Sequence, residues 1–394
     1  MPIPALPHFK KWLPFITSAL VVIIVIGALF LFYFQSQKST LQGSLTSSET
    51  KLSQTSKELI TLKNQDQVKR NNELQSTIKS IETSYKNVIK TYETVQDLKA
   101  QKQKTDSYDK SLTDSLSYLA DRNYASAEAT LTLLNKQITA DQAKAQATIV
   151  ASAPVSNAPA SNSPPGSGYA VQKVSTDIGE YTVALVAADM GSTRIIVDTA
   201  SDSDCRDNCP VLSLGDYVSR NGAFAGVNGS YFCPAEYPTC AGKTGSFDLL
   251  AMNKNKHYLN SDNNVYSTNP AVIFQSGSMR FVGQASQWGR DTGVDGVLSN
   301  YPLLLSGGNI AFSGDGDPKK GSKGSRSFVG NKGNTAYIGV IYNVTVAEGA
   351  HVLKSLGLEN ALNLDSGGST ALWSGGYKVG PGRNIPNAIL FVRK

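Results

Sequence analysis

The hydrophobic pattern of this 394-residue chain begins with an apolar run at residues 13–34 that contains no charged side chain. A run of that length is typical of a membrane-spanning helix, which needs roughly 20 residues. Lys10 and Lys11 precede it, and no A-x-A cleavage pattern follows it, which favours an uncleaved anchor over a signal peptide. Because positive flanks stay inside, we predict a cytoplasmic tail at 1–12, a single-pass anchor in the cell membrane at 13–34, and an extracellular remainder.

A second pattern covers residues 41–147, which are polar, rich in Lys, Gln, Ser and Thr, and free of proline. Apolar side chains recur there in steps of four and three, as in the heptad seam of a coiled coil: Leu74, Ile78, Ile81, Tyr85, Val88, Tyr92 and Val95. After a break near residues 121–123 a further helical pattern predicts a hairpin. We interpret this region as a helical, coiled-coil stalk that acts as a spacer, and homo-oligomerisation through it stays open.

Residues 151–168 consist mainly of Pro, Ala, Ser and Asn and carry no charge, so they predict an extended linker. From residue 169 to the end, short apolar or alternating runs are separated by Gly, Asn, Asp and Pro, a pattern of strands and turns. One helix is predicted at 345–356, where Thr345 and Glu348 form a capping box. We therefore expect an α+β fold: a mostly antiparallel sheet domain with few helices at 169–394, preceded by the anchor and stalk.

The strand predictions fall at six runs of this domain: 181–187, 194–198, 271–274, 303–305, 336–342 and 388–392.

Charge argues against nucleic acid as a partner. The net charge is +6, but the excess lies almost entirely in the first 150 residues and the rest of the chain is nearly neutral. A nucleic-acid binder shows a concentrated basic surface, and no segment of the sequence provides one. We therefore expect no nucleic-acid partner.

All four cysteines lie in the region predicted to be extracellular, where an even number indicates disulfides. Three pairings are open in principle. Because neighbours in sequence meet first, we predict Cys205–Cys209 and Cys233–Cys240. Zinc is the competing use, but the spacings C-x3-C and C-x6-C do not fit the usual zinc pattern.

A metal or cofactor requirement is not expected. The chain has only three histidines, which excludes a His-rich site. A divalent cation is conceivable at the turn that holds Asp315 and Asp317, but two carboxylates fall far short of a calcium ligand set.

Four segments combine small residues with charged or amide side chains. Taken singly, each could be an ordinary polar turn. They are "GVNGSYFCP" at 226–234 with Asn228, "KKGSKGSRSFVG" at 319–330 with Arg326, "NLDSGGSTALW" at 363–373 with Asp365, and "GPGRNIPNAILFV" at 380–392 with Arg383 and Asn387.

Their order along the chain resembles the phosphodiester glycosidase family: an N-G-x-Y-F element, an R-x-x-x-G strand, an N-L-D-x-G-G-S-T turn after a helix, and a terminal G-R-x-I-P-N-A strand. The resemblance covers roughly residues 169–394, and the Asp365 element is its most specific part. Two positions depart from the expected glycines, Ser230 and Ser366, although both remain small.

The resemblance implies an enzyme that hydrolyses a sugar joined through its anomeric carbon to a phosphodiester, in cell-envelope or exopolysaccharide material. A phosphodiester already leaves readily, so one carboxylate suffices where ordinary glycosidases use two, with cations and amides steadying the departing phosphate. The expected site consists of Asp365 as nucleophile or base, Arg326 and Arg383 as phosphate ligands, Asn228 orienting sugar hydroxyls or holding Asp365, and Gly367, Gly368, Ser369, Thr370 and Asn387 binding substrate.

Two alternatives remain from the sequence. In the first, Ser230 and Ser366 mark lost catalysis, and the domain is a non-catalytic module that binds envelope polysaccharide. In the second, the coiled coil is the working part, an envelope organiser, and the distal domain is an adaptor.

Overall fold

The computed structural model describes residues 13–101, 103–152, 158–264, 266–288 and 293–394. The predicted cytoplasmic tail, with Lys10 and Lys11, lies outside the described residues. Contacts divide the chain into two compact units, Met1–Ile81 and Glu82–Lys394. The second unit contains helices as well as sheets. The predicted domain boundaries remain predictions.

The described part of the first unit, from residue 13 onward, is helical. Helix α1 (Leu13–Lys63) runs from the apolar segment into the polar one as a single helix, and helix α2 (Asp66–Ala100) follows after a two-residue break. The apolar stretch of α1 is long enough to cross a membrane. Leu45, Leu52 and Leu59 of α1 are exposed. A coiled coil between copies therefore remains a prediction.

The helical part of the second unit is a small bundle. The C-terminal half of α2 packs against α3 (Asp106–Ala120) and α4 (Tyr124–Ser152), which confirms the predicted helical hairpin. Two residues of the predicted heptad seam, Val88 and Val95, are buried inside this bundle. The seam is thus used at least partly for packing within the chain. The bundle core consists of Val88, Val95, Leu98, Tyr108, Leu112, Leu119, Ala127, Leu131, Leu134 and Ile138.

The end of the predicted linker is fixed to the sheet domain. The amide of Lys173 donates to the Pro159 carbonyl at 3.0 Å, and the amide of Ser161 donates to the Lys173 carbonyl at 2.9 Å. The Asn162 side chain adds a hydrogen bond of 2.8 Å to the Ser175 carbonyl. Residues 159–162 therefore run beside the first strand.

The rest of the second unit contains the strands that the alternating pattern predicts, including all six predicted runs. The strands are β1 (Gly168–Thr176), β2 (Gly179–Asp189), β3 (Thr193–Thr199), β4 (Ala225–Asn228), β5 (Ala251–Met252), β6 (Tyr258–Leu259), β7 (Ala271–Gln275), β8 (Ser278–Val282), β9 (Gly296–Ser299), β10 (Leu303–Ser306), β11 (Asn309–Ile310), β12 (Gly324–Lys332), β13 (Thr335–Val344), β14 (Asn360–Asn363), β15 (Leu372–Ser374), β16 (Tyr377–Val379) and β17 (Asn387–Arg393). The helices among them are α5 (Leu214–Asn221), α6 (Ser261–Asn264), α7 (Pro318–Gly321) and α8 (Val346–Ser355).

These strands form three sheets with the orders β1-β2-β13-β12-β14-β10-β11, β16-β15-β4-β17-β3 and β6-β5-β9-β7-β8. Neighbouring strands within each sheet pair in the antiparallel sense. The expected α+β class with a mostly antiparallel sheet domain is confirmed.

The central strands of the seven-stranded sheet are buried on both faces. Side chains alternate across a strand, and each face packs against a different hydrophobic cluster. In β2, Ala184 and Val186 face the core shared with the other sheets. Val183 and Leu185 face α8 instead. Central strands of this sheet are therefore almost continuously apolar.

Helix α8 begins as the sequence predicts. The Thr345 hydroxyl accepts a hydrogen bond from the Glu348 amide at 3.1 Å, and the Glu348 carboxylate accepts one from the Thr345 amide at 2.7 Å. The capping box is confirmed, and it anchors the helix that covers one face of the large sheet.

Both predicted disulfides, Cys205–Cys209 and Cys233–Cys240, are present. The second one closes a loop directly after β4, beside the cavity described next.

Candidate active site

The four candidate segments meet at one cavity of about 1290 Å³. Asp365 follows β14, and Arg326 lies at the start of β12, the strand that pairs with β14. Arg383 precedes β17, which pairs with the strand that ends at Asn228. Strand pairing thus brings together residues that are far apart in sequence. The candidate residues that line the cavity are Arg326, Asp365, Gly367, Ser369, Thr370 and Arg383.

Asp365 is held in place by backbone and side-chain hydrogen bonds. Its amide donates to the Gly229 carbonyl at 2.9 Å, and its Oδ1 accepts from the Ser366 amide at 2.8 Å. Burial raises the pKa of Asp365 to about 6, although hydrogen bonds from Ser369 and Ser366 and the charge of Arg383 oppose the increase. A carboxyl group with that pKa changes charge near neutrality, as a general base or nucleophile does.

Asn228 is fully buried and contacts the backbone of Asp365. Its Nδ2 donates to the Asp365 backbone carbonyl at 2.6 Å. Its Oδ1 accepts from the Ser327 hydroxyl at 2.7 Å and from the Ala371 amide at 3.1 Å. Both polar atoms of the side chain are thus engaged by the protein. Of the two roles expected for Asn228, the geometry favours holding Asp365 over touching sugar hydroxyls.

Asn387 is also fully buried, and it fixes the segment after β4. Its Oδ1 accepts from the Ser230 amide at 2.8 Å, and its Nδ2 donates to the Ser230 hydroxyl at 2.9 Å. A Cβ on Gly229 would collide with Asn387 Oδ1, so glycine is required there. The structure therefore places Asn387 behind the cavity wall, and it accommodates the serine that replaces an expected glycine.

Arg326 lies at the cavity edge and also holds a loop. Its Nη2 donates to the carbonyls of Lys319, at 2.8 Å, and Ser322, and its Nε donates to the Val344 carbonyl at 3.3 Å. Burial holds the pKa of Arg326 below its usual value, although Tyr231, Asp317 and Asp365 nearby oppose the decrease. Among the described residues its hydrogen bonds go to uncharged groups, so its positive charge remains available to an anion.

The three lysines of the same loop are less available, because each is paired. Lys319 contacts Glu93 at 3.2 Å, and Lys323 contacts Glu348 at 3.2 Å. Lys320 forms an ion pair with Asp315. The arginines are therefore the better candidates for binding phosphate.

Arg383 is 9% exposed and is the most enclosed cation of the cavity. Its Nη2 forms an ion pair with Asp97 of α2, and its guanidinium lies 5.1 Å from the centre of the Tyr237 ring. Burial opposes its charge, but Asp97, Tyr237 and Asp365 raise its pKa. The cation is thus held between a helix and the loop that the second disulfide closes.

The turn at 367–370 brings bare backbone to the cavity. Gly367 has φ +66°, a left-handed conformation that favours glycine. A Cβ on Gly368 would come within 2.9 Å of Asp97 Oδ1. Both glycines of the motif therefore have a steric reason to be glycine, as the approach of an anion to backbone amides requires.

Three residues that the sequence did not single out belong to this site. The Tyr231 hydroxyl accepts a hydrogen bond of 2.7 Å from Asn363, and burial raises the pKa of Tyr231. Tyr237 contacts Arg383 as above. Tyr231 lies inside the quoted "GSYF" motif and could have been found there, whereas Asp97 lies in a polar helix with no local signal.

The acidic turn at 313–318 is used by the protein itself. Asp317 Oδ1 accepts from the Lys319 amide at 2.8 Å and caps α7, and Asp315 pairs with Lys320. No group of three or more His, Cys, Asp or Glu side chains suited to a metal occurs among the residues the structure describes.

Comparisons with known proteins address the identity of the domain. The model of the phosphodiester glycosidase family matches residues 221–392. A search of curated proteins finds no match.

Three solved structures are similar in part. The zebrafish N-acetylglucosamine-1-phosphodiester alpha-N-acetylglucosaminidase catalytic domain, auto-inhibited by its pro-peptide, is 15% identical with a TM-score of 0.43, over 60% of this chain and 87% of that one. A Synechocystis protein is 16% identical with a TM-score of 0.40, over 57% of this chain and 62% of that one. A Burkholderia pseudomallei protein is 11% identical with a TM-score of 0.36, over 54% of this chain and 74% of that one.

The chain thus spans less than two thirds of the Synechocystis structure. The family match contains Asn228, Arg326, Asp365 and Arg383, the residues on which the resemblance was based. Residues 221–392 of this chain are therefore similar to the phosphodiester glycosidase family, whose model matches them.

Proposed function

We propose that this chain is a membrane-anchored extracellular hydrolase that cleaves the bond between the anomeric carbon of a sugar and a phosphodiester. The material would belong to the cell envelope or to an exopolysaccharide. One observation carries the proposal: in a phosphodiester glycosidase domain, a carboxyl group with a pKa of about 6 shares a cavity with Arg326 and Arg383.

Asp365 has the chemistry that the reaction needs. As a carboxylate it attacks the anomeric carbon or removes a proton from the attacking water. The bond from C1 to the phosphate oxygen breaks, the water oxygen ends on C1, and the phosphate leaves as a monoester. The leaving phosphate needs little protonation, so the reaction does not require a second carboxyl group as a general acid.

The two arginines would stabilise the charge on the leaving phosphate. Arg383 can bind a phosphate through two parallel hydrogen bonds, because its Nε has no partner among the described residues. Arg326 would contribute mainly its charge, because its Nε and Nη2 donate to backbone carbonyls.

In the turn at 367–370, the amides of Ser369 and Thr370 donate to the carbonyls of Ser366 and Gly367, so the amides of Gly367 and Gly368 would be the ones to contact the phosphate. Preorganised donors of this kind are the largest single contribution in many enzymes. Asn228 and Asn387 act behind them by holding the Asp365 segment and the strand ends in place.

The proposed location rests on two features. Helix α1 contains a segment long enough to cross a membrane, and the two disulfides are typical of an oxidising, extracellular compartment. Protease added to intact cells should then digest the C-terminal domain. Full protection of that domain would contradict the topology.

The activity is tested with the full chain in detergent and a panel of sugar-1-phosphodiesters in water enriched in oxygen-18. The proposal expects free sugar that carries the label at C1 and an unlabelled phosphate monoester. Label on the phosphate would indicate cleavage of the P–O bond instead and would refute the glycosidase assignment. Tight binding without turnover would favour the non-catalytic polysaccharide-binding alternative.

A further inference from the structure

We propose that Asp97 of α2 is a resident anion in the phosphate subsite, so that a substrate phosphate has to displace it from Arg383. This inference rests on the proposed function for the identity of the ligand. The Asp97 carboxylate forms an ion pair with Arg383 Nη2 and accepts a hydrogen bond of 2.7 Å from the Tyr237 hydroxyl. Residue 97 belongs to a helix that the family match does not include.

The carboxylate lies directly on the glycine turn. A Cβ built on Gly367 would be 3.3 Å from Asp97 Oδ2, and one on Gly368 would be 2.9 Å from Asp97 Oδ1. The Asp97 side chain therefore occupies the space over the bare backbone that is the best place in this cavity for an anionic group. A carboxylate and a phosphate present similar pairs of oxygens to a guanidinium.

Arg383 is incompletely used by Asp97. Its Nε is buried and has no hydrogen-bond partner among the described residues. A buried donor without a partner is costly. A phosphate that took Nε and Nη2 together would satisfy both, which the present contact through Nη2 does not do. The subsite is therefore built for a larger anion than the one it holds.

Asp97 and a phosphate cannot share the subsite. Two negative groups at hydrogen-bond distance from one guanidinium repel each other strongly when little water is present. A ligand that binds only the fraction of molecules with an open subsite shows an affinity reduced by that fraction. Helix α2 would thus lower the apparent affinity for phosphodiesters.

Glu93 supplies a control on the same helix, one turn earlier. Its carboxylate accepts from the Thr239 hydroxyl and pairs with Lys319 at 3.2 Å, so it attaches α2 to the same region of the domain without touching Arg383. Glu93→Gln removes the same charge as Asp97→Asn, but it also frees Lys319, another cation of the cavity. A gain in Asp97→Asn beyond that of Glu93→Gln therefore reports on the contact with Arg383 and not on net charge or on attachment of the helix.

The test measures inorganic phosphate binding by calorimetry to the full chain and to both variants. We expect Asp97→Asn to bind phosphate about tenfold more tightly than the wild type, and Glu93→Gln to bind it within about twofold. An equal gain in both variants, or no gain in Asp97→Asn, would overturn the proposal. If asparagine at position 97 unfolds the protein, Asp97→Ala serves in its place.

Turnover gives a second measurement. With a sugar-1-phosphodiester, Asp97→Asn should lower KM and leave kcat unchanged or higher. A fall in kcat of tenfold or more would make Asp97 a catalytic carboxylate and would refute the competing role. Because phosphate binding does not depend on turnover, tighter binding by Asp97→Asn in a protein that releases no sugar would overturn the proposed activity and retain the subsite.

Discussion

Glu348 in the first turn of α8 and Asp365 in the turn after β14 are both carboxylic acids, but their surroundings shift their pKa values in opposite directions. Burial disfavours charge on Glu348, but the Thr345 amide and Lys323 hold its pKa below the usual value. Burial of Asp365 prevails over its hydrogen bonds and raises its pKa to about 6. Glu348 is therefore a satisfied structural ion, and Asp365 is a carboxyl group kept at a cost in stability.

The difference teaches that partners, and not residue type, separate a structural from a chemical carboxylate. Glu348 accepts from a backbone amide and pairs with a lysine. Asp365 faces a cavity and has hydrogen bonds that only partly offset its dehydration. A group whose charge is poorly compensated in the resting protein is the one available to a substrate.

The strongest way to test the comparison is Asp365→Asn. The amide keeps the shape of the side chain and removes the negative charge, so turnover of a sugar-1-phosphodiester should fall on the order of 10³-fold or more. In the wild type, kcat/KM should decrease as pH falls through about 6, because protonation neutralises the group. A folded variant that retains most of its turnover would end the assignment of Asp365.

The same substitution should stabilise the fold. The folded-state pKa of Asp365 lies above its ordinary value of 3.8, so ionising the group costs folding free energy as pH rises from about 4 to 6. At pH 7, Asp365→Asn should be more stable than the wild type by up to about 3 kcal/mol, and at pH 4 the two should be similar. Denaturant unfolding at both pH values measures this. A variant that is less stable at pH 7 would favour a purely structural turn.

Arg326→Lys tests whether the cavity that contains Asp365 also binds the phosphate of the substrate. Lysine keeps the charge but cannot hold the carbonyls of Lys319 and Ser322 while it also contacts a phosphate. We expect kcat/KM for phosphodiesters to fall about tenfold, and the loss for aryl glycosides without phosphate to be smaller. Equal losses on both substrates would argue against phosphate binding by Arg326.

The smallest effect is expected for Glu348→Gln. Glutamine can still form a capping box, and only the ion pair with Lys323 is lost. The free energy of unfolding should decrease by less than about 1 kcal/mol, and turnover should stay close to that of the wild type. Parallel thermal and kinetic measurements decide this. A large loss of turnover would remove the distinction between the two carboxylates.

Much of the fold follows from local patterns in the sequence. Short, nearly continuous apolar runs identify β2, β13 and β17, and the Thr345 capping box identifies the start of α8. Sequence neighbours also gave the correct disulfides. The assembly of three sheets could not be read in the same way, because strand order depends on contacts between distant segments.

The candidate site also contains residues that local sequence patterns predict and residues that they do not. Asp365, Arg326 and Arg383 carry unusual local signals, and the structure brings them to one cavity. The enclosed positions of Asn228 and Asn387 depend on what packs over them, which no motif states. The position of Asp97 in the site could not be predicted from the sequence, because it depends on an ion pair with Arg383, 286 residues later in the chain.

The close approach of Gly229 to residue 387 limits how these two positions can change during evolution. A Cβ at 229 would collide with Asn387 Oδ1 and would also lie 2.8 Å from the backbone carbonyl oxygen of Asn387, which no substitution at 387 removes. Loss of Asn387 would leave the Ser230 amide and hydroxyl without their partners. Glycine at 229 should therefore be retained whatever residue stands at 387, so that the junction of β4 and β17 would be inherited with this glycine unchanged.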